Sequence, residues 1–192
     1  VTATTFNSIT VDSDTSTNDM VAIFATGHAK NSKIYNVLDP RLVEFEKALH
    51  RLCLNLAKQI VVDGEGAKKF ISINVLGARS INMAKNIAFS VANSPLVKTA
   101  IAGEDSNFGR IIMAIGKSGE PVQISKIQIK FGDYLITDMG KVVKDYNEKY
   151  LKEYMKWDSI NIEINLNMGS GSYTAYTCDF THDYISINAE YN

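Results

Sequence analysis

Apolar positions follow one grammar up to a glycine-rich turn around Glu65 and another beyond it. In the first part, residues 8–12 (SITVD) alternate, with Ile9 and Val11 on one face, which predicts a strand. Residues 20–26 (MVAIFAT) form a nearly continuous apolar run, which predicts a strand buried on both faces and ended by Gly27. The clearest helix comes next. Asp39 is placed as its N-cap and Pro40 at its first position, and Leu42, Phe45, Leu49, Leu52, Cys53, Leu56 and Ile60 form a helical stripe facing a core. His50 falls on the flank of that stripe, as a rim residue rather than a ligand.

Beyond "VVDGEGAKKF", residues 70–76 (FISINVL) alternate, with Ile71, Ile73 and Val75 pointing one way. "SINMAKNIAFSVANS" predicts a helix, Ser94 followed by Pro95 caps a second, and Asn107 caps a third through Ile112 and Ile115. "KIQIKFGDYLIT" reads as a hairpin with Gly132-Asp133 as a two-residue turn. "SINIEINLN" alternates at Ile160, Ile162, Ile164 and Leu166, and "MGSGS" leads as a plain turn into a last strand, "YTAYTCDF". The "GSGS" run joins strands instead of opening a helix, so a phosphate loop is a poor reading of it.

The fold class expected is therefore α+β. Residues 1–66 are too few to sustain a core alone, since below about 70 residues a single core seldom suffices. Their sheet is expected to continue in sequence outside this chain. Residues 67–181 form a second lobe, a mostly antiparallel sheet covered by helices on its alternating face, and residues 182–192 form a tail.

Composition changes this picture little. A net charge of −1 and 45% hydrophobic residues describe a mixed-charge globular chain, with no basic excess to suggest nucleic acid. No run approaches the roughly 18 apolar residues of a membrane helix. Cys53 and Cys178 are far apart and are expected as reduced, mostly buried thiols. His28, His50 and His182 are scattered, and no metal-ligand spacing is present. The first residue is Val1, so any leader or processing site would lie upstream.

Four polar clusters are candidates for chemistry. "VDSDTSTND" places Asp12, Asp14 and Asp19 among hydroxyls between two predicted strands; it suits a solvated turn or a site. In "DGEG", Glu65 is an exposed turn carboxylate by default, yet flanking glycines let a ligand approach, and a lone Glu there could hold an ammonium group. "AGEDSNFGR" is explained by capping and a surface ion pair among Glu104, Asp105 and Arg110. In "THDY", His182 and Asp183 are strand neighbours that would point apart, against a His–Asp relay. No complete catalytic set is visible.

Taken together, "FNSITVDSDTSTND", "DGEGAKK", "ANSPLVKTAIAGEDSNFGRI" and "TCDFTHDYISINAEY" resemble, in this order and over practically the whole chain, the ornithine acetyltransferase (glutamate N-acetyltransferase) family, often called ArgJ. The chain looks like its β-chain part. Ser13 stands where the family usually has Gly, Ser106 where Pro is common and Phe108 where Trp is common.

The resemblance implies acetyl transfer from N-acetylornithine to glutamate in arginine synthesis, on an αββα arrangement related to N-terminal-nucleophile hydrolases and built from α and β chains, an α2β2 assembly. The family's nucleophile is a Thr freed by self-cleavage at an Ala-Thr bond. Thr2, Thr4 and Thr5 stand too close to the SITV stretch to match it, so the nucleophile and the oxyanion donors are expected outside this chain. Glu65 and Asn188 match family substrate positions, Glu65 facing the ornithine ammonium. The tail after Thr181 is expected to lie across a catalytic pocket, that of its own or a neighbouring αβ unit, anchored by Tyr184, Ile185, Ile187 and Tyr191. No cofactor, metal, nucleic acid or membrane is expected, and the location implied is cytoplasmic. A non-catalytic relic and a related N-terminal-nucleophile aminopeptidase or amidase are the alternatives.

Overall fold

The computed structural model describes residues 1–144 and 147–190. Its centre is a six-stranded mixed sheet built from β1 (Phe70–Ala78), β2 (Gln128–Phe131), β3 (Tyr134–Asp138), β4 (Lys141–Val142), β5 (Ser159–Asn165) and β6 (Gly171–Cys178). The strand order is β4-β3-β2-β5-β1-β6. Only the β1–β5 pair is parallel, and it sets Ile73 opposite Ile162. The other pairs are antiparallel, so the sheet matches the mostly antiparallel lobe expected. Because β1 lies between β5 and β6, the "MGSGS" segment is no hairpin turn. It crosses the end of β1, where Met168 N–H donates to the Gly77 carbonyl at 2.7 Å.

Alternation divides the sheet into a dry and a wet face. Ile71, Ile73, Val75, Ile160, Ile162 and Ile164 are fully buried beneath the helices α2 (Ile81–Ala92), α3 (Pro95–Ala102) and α4 (Phe108–Gly116). The second and third of these helices begin as predicted, with the side chains of Ser94 and Asn107 each accepting from a backbone N–H in the first turn, and Ser80 caps α2 in the same way. On the other face Ser72 and Asn74 donate to Asn161, and Lys130 pairs with Glu163 at 2.9 Å. One buried and one polar face is the usual condition of an antiparallel sheet. The β2–β3 hairpin has the expected two-residue turn, with Gly132 at φ 57°, a conformation glycine adopts without steric cost. A further helix, α5 (Glu148–Tyr154), was not expected; Asn147 caps it, and Leu151 and Tyr154 seat it on the core.

The first segment departs from expectation. Residues 6–8 form a 3-10 turn, and Ile9 makes a single bridge to Tyr176 in place of a strand over 8–12. Residues 20–26 have no regular structure, and Met20, Ile23 and Phe24 are 83, 72 and 87% exposed. An apolar run becomes a strand only where another strand pairs with it. Among the described residues none does. Helix α1 (Leu42–Val62) is present but begins later than expected, with Arg41 at its N-cap. Asp39 still accepts from Arg41 N–H, and the Arg41 guanidinium beside it lowers its carboxyl pKa. Of the predicted stripe, Phe45, Leu52, Leu56 and Ile60 are exposed, and α1 meets the sheet through Ala57 and Val61 instead. No helix is long and apolar enough to cross a membrane among the described residues.

Candidate active site

The end of α1 and the end of the chain meet. After Val62 the turn Asp63-Gly64-Glu65-Gly66 reverses the chain, with Gly64 N–H donating to Val61 and Ala67 N–H to Gly64. Gly66 has φ 68°, and a Cβ there would fall 2.5 Å from the Tyr184 nitrogen. Only glycine allows this approach. Packed against it is α6 (His182–Ala189), a helix where the sequence suggested an extended tail. Thr181 starts α6 by accepting from Asp183 N–H, while its own hydroxyl donates to the Gly66 carbonyl at 2.7 Å. Lys68 pairs with Asp183 at 2.9 Å, and that carboxylate raises the lysine's pKa.

This docking brings the two predicted site residues together. Asn188 Nδ2 donates to Glu65 Oε2 at 2.5 Å and to the Tyr184 carbonyl at 3.0 Å, although Glu65 and Asn188 are 123 positions apart. Both side chains are exposed. Glu65 Oε1 and Asn188 Oδ1 accept no hydrogen bond from the described residues, so each retains an acceptor for a ligand. The loop after Val11 closes a third side: Tyr184 Oη donates to Asp12 Oδ2 at 2.9 Å. Burial, then the Asp12 carboxylate, pushes the Tyr184 pKa up to about 12, so the hydroxyl keeps its proton.

Beneath the turn sits Lys98, on the apolar face of α3 and only 2% exposed. Its ammonium donates to the Val11 carbonyl and to Thr177 Oγ1 at 2.9 Å, lies 3.8 Å from Cys178 Sγ, and faces the Phe180 ring at 5.3 Å. Burial lowers its pKa, with Cys178 and Asp179 acting against that shift. Burial raises the pKa of the Cys178 thiol. Asp179, also buried, accepts from the backbone N–H groups of Lys68 and Lys69 through one oxygen, and its other oxygen has no partner.

Other predicted clusters stay apart from this site or take other partners. Within 12–19 the side chains make turn bonds, Asp14 N–H to Asp12 and the N–H groups of Asn18 and Asp19 to Ser16, while Asp12 alone also reaches Tyr184. Arg110 does not pair with Glu104 or Asp105: it donates to the Leu96 carbonyl, and Glu104 lies 3.8 Å from Lys69. His182 and Asp183 share a helix start and make no relay; Asp183 is taken by Lys68. Ile185 and Ile187 are exposed within this chain, where α6 docks through polar contacts and Tyr184; Tyr191 lies outside the described residues. His50 meets Thr4 Oγ1 at 3.1 Å, at the surface. Cys53 and Cys178 are both unpaired. Sequence spacing does carry a signal for Lys98: with Ser94, Val97 and Ile101 it occupies the positions of a buried helical face.

Comparison with protein families matches residues 1–192 to the ArgJ family. The chain belongs to the ArgJ family. It is 52% identical over 189 residues to the arginine biosynthesis bifunctional protein ArgJ of Gluconobacter oxydans, covering 98% of this chain and 45% of that relative. The protein of the same name from Brucella melitensis is 48% identical over 190 residues, 97% of this chain and 46% of its own length. The crystal structure of argJ from Bacillus halodurans superposes with a TM-score of 0.93 at 44% identity, over 99% of this chain and 89% of that one. The α+β fold is thus that of an ArgJ structure, and the chain spans about half the length of the curated ArgJ relatives it matches.

Proposed function

We propose that this chain is the β-chain portion of a glutamate N-acetyltransferase that moves the acetyl group of N2-acetylornithine to glutamate in arginine synthesis. The observation that carries this reading is the Glu65–Asn188 contact at 2.5 Å, formed in an ArgJ chain by the two residues that match family substrate positions. Glu65 receives the side-chain ammonium of ornithine as a charge-assisted bond, and Asn188 offers an amide that can accept from an ammonium or donate to a carboxylate. The chemistry is supplied by an N-terminal Thr outside this sequence. Its hydroxyl attacks the acetyl carbonyl while its own amine takes the proton. The C–N bond breaks, ornithine leaves with a proton on its amine, and the acetyl rests on the Thr oxygen as an ester. The α-amine of glutamate then attacks that ester and returns the Thr hydroxyl.

In this reading residues 1–66 belong to the αββα core, residues 67–181 to the second lobe, and residues 182–192 to a tail at the active site. The exposed apolar side chains of 20–26 and of α1 are covered by the α chain of the same precursor, released by self-cleavage, in an α2β2 assembly. Two unpaired cysteines suit a reducing compartment, the cytoplasm. The test is acetyl exchange between N-acetylornithine and glutamate. The full-length protein is expected to exchange and the 192-residue chain alone to be inert, lacking nucleophile and oxyanion donors. Exchange by the chain alone at a comparable rate would overturn the assignment, and absence of exchange in the full-length protein would favour a relic.

A further inference from the structure

Helix α6 has no fully buried residue and touches the rest of the chain mainly at Gly66, Phe180 and a few polar contacts, so few contacts fix where Asn188 stands. We propose that the Tyr184 hydroxyl and the Asp12 carboxylate form the contact that positions Asn188 over Glu65, with Lys98 as the buried anchor of the Asp12 end. The proposal rests on the reading of Glu65 and Asn188 as substrate contacts. Tyr184, Asp12 and Lys98 are positioning residues in it.

The contacts form one continuous chain. Asn188 is tied to Tyr184 by the bond from its amide to the Tyr184 carbonyl, 3.0 Å, and Tyr184 is tied to Asp12 at its other end, 2.9 Å. Asp12 stands at the start of an otherwise exposed loop, and its second oxygen is occupied by Asp14 N–H at 3.0 Å. Such a loop would let Asp12 wander unless its backbone were held. Lys98 holds it: the ammonium donates to the carbonyl of Val11, the residue before Asp12, and to Thr177 on β6. No carboxylate lies within ion-pair reach of Lys98 among the described residues. A buried ammonium satisfied by neutral acceptors is a poor source of stability, and an apolar side chain would fill the α3 face at less cost. What Lys98 contributes is the fixed position of Val11 and Asp12. The Phe180 ring links both ends, packed at a tilt against Tyr184 with ring centroids 4.3 Å apart and facing Lys98.

The test uses the full-length protein carrying Tyr184→Phe, Asp12→Asn or both. Tyr184→Phe removes one hydroxyl and leaves the ring contact with Phe180; Asp12→Asn can still accept from Asp14 N–H. Two readouts are taken: amide hydrogen exchange over 182–189, and KM and kcat for N-acetylornithine. In each single variant exchange over α6 is expected to speed up about fivefold or more with β1 and β5 unchanged, and KM to rise about fivefold to tenfold with kcat within about twofold. The double variant should be no worse than either single one. Unchanged exchange over α6 overturns the proposal, and so does strict additivity. A KM rise without faster exchange would make Tyr184 a direct substrate contact and also overturn it. If the wild-type protein transfers no acetyl but α6 exchange responds as described, the functional reading fails and the positioning contact stands.

Discussion

Two stretches of this chain carry the same kind of signal and end in opposite environments. In β1, Ile71, Ile73 and Val75 are wholly buried; in the run 20–26, Met20, Ile23 and Phe24 face solvent. Both are apolar, β-prone and bounded by turn residues, so pattern alone does not separate them. The difference is partnership. β1 lies between β5 and β6, with α2 against it, all within the chain. Residues 20–26 find no such neighbours among the described residues. An apolar run records that a segment is buried somewhere; it does not record by what.

The comparison breaks most visibly under truncation of one residue on each side. Ile162, fully buried on β5, changed to Ala should cost about 2–4 kcal/mol of stability, the lost transfer energy plus the cavity. Phe24→Ser, at an 87% exposed position, should leave the chain's own stability within about 0.5 kcal/mol. Urea midpoints of the two variants measure this directly. In the two-chain assembly proposed above, Phe24→Ser should instead weaken the hold between the chains, read by their co-purification. A large stability loss from Phe24→Ser in the chain alone would mean that 20–26 is packed after all.

A second contrast sets the core against the site. Glu65 is exposed, so Glu65→Gln should hardly move the urea midpoint. A hydrogen bond to a charged partner contributes about 1.5–3 kcal/mol, so the KM for N-acetylornithine should rise about tenfold or more in the full-length protein. The core variant loses stability and keeps its site chemistry; the site variant does the reverse. Unchanged kinetics with a lowered midpoint would make Glu65 a structural turn residue.

What could be read in advance follows the same line. The caps at Ser94 and Asn107, the Gly132 turn and the alternation of β1 and β5 are local chemistry, and they stand where the sequence placed them. Glu65 and Asn188 were found through family motifs, and their contact follows from the docking of α6, which no local pattern announces. The parallel β1–β5 pairing joins strands far apart in sequence and leaves no local mark. α5 was missed because seven residues are too short for periodicity to show. A lysine is expected in water, so only the helical spacing of Lys98 indicates its burial.

Lys98 also allows a smaller test, by pH. Its pKa is lowered in the folded chain from the ordinary 10.5, mainly by burial. Between the two values the unfolded chain binds the proton and the folded one does not, so this group's contribution to stability increases as pH rises through that window. As pH falls through the folded value that contribution is lost. Lys98→Met abolishes this slope, at the cost of an unpaired Val11 carbonyl. Urea midpoints taken as pH rises toward 10.5 should therefore show wild type gaining on the variant as the solution becomes more alkaline. Parallel curves would mean that Lys98 stays protonated and solvated.

The smallest effect is expected in the loop next to Asp12. Ser13 has φ 81°, a left-handed conformation that costs a side-chain-bearing residue about 1–2 kcal/mol. Glycine removes that strain but loses more backbone freedom on folding, an opposing term of about 0.5–1 kcal/mol. Ser13→Gly should therefore stabilise the chain by up to about 1 kcal/mol, a rise of roughly 2–4 °C in melting temperature at most. The side chain is exposed, and its hydroxyl makes no hydrogen bond among the described residues, so nothing else is forfeited. The same change tests the two kinds of region once more. In β1 a glycine would open a cavity, whereas here it relieves a left-handed backbone next to Asp12. A destabilised Ser13→Gly chain would show that the bend is set by Ser13 itself, and that the strain assigned to this loop is absent.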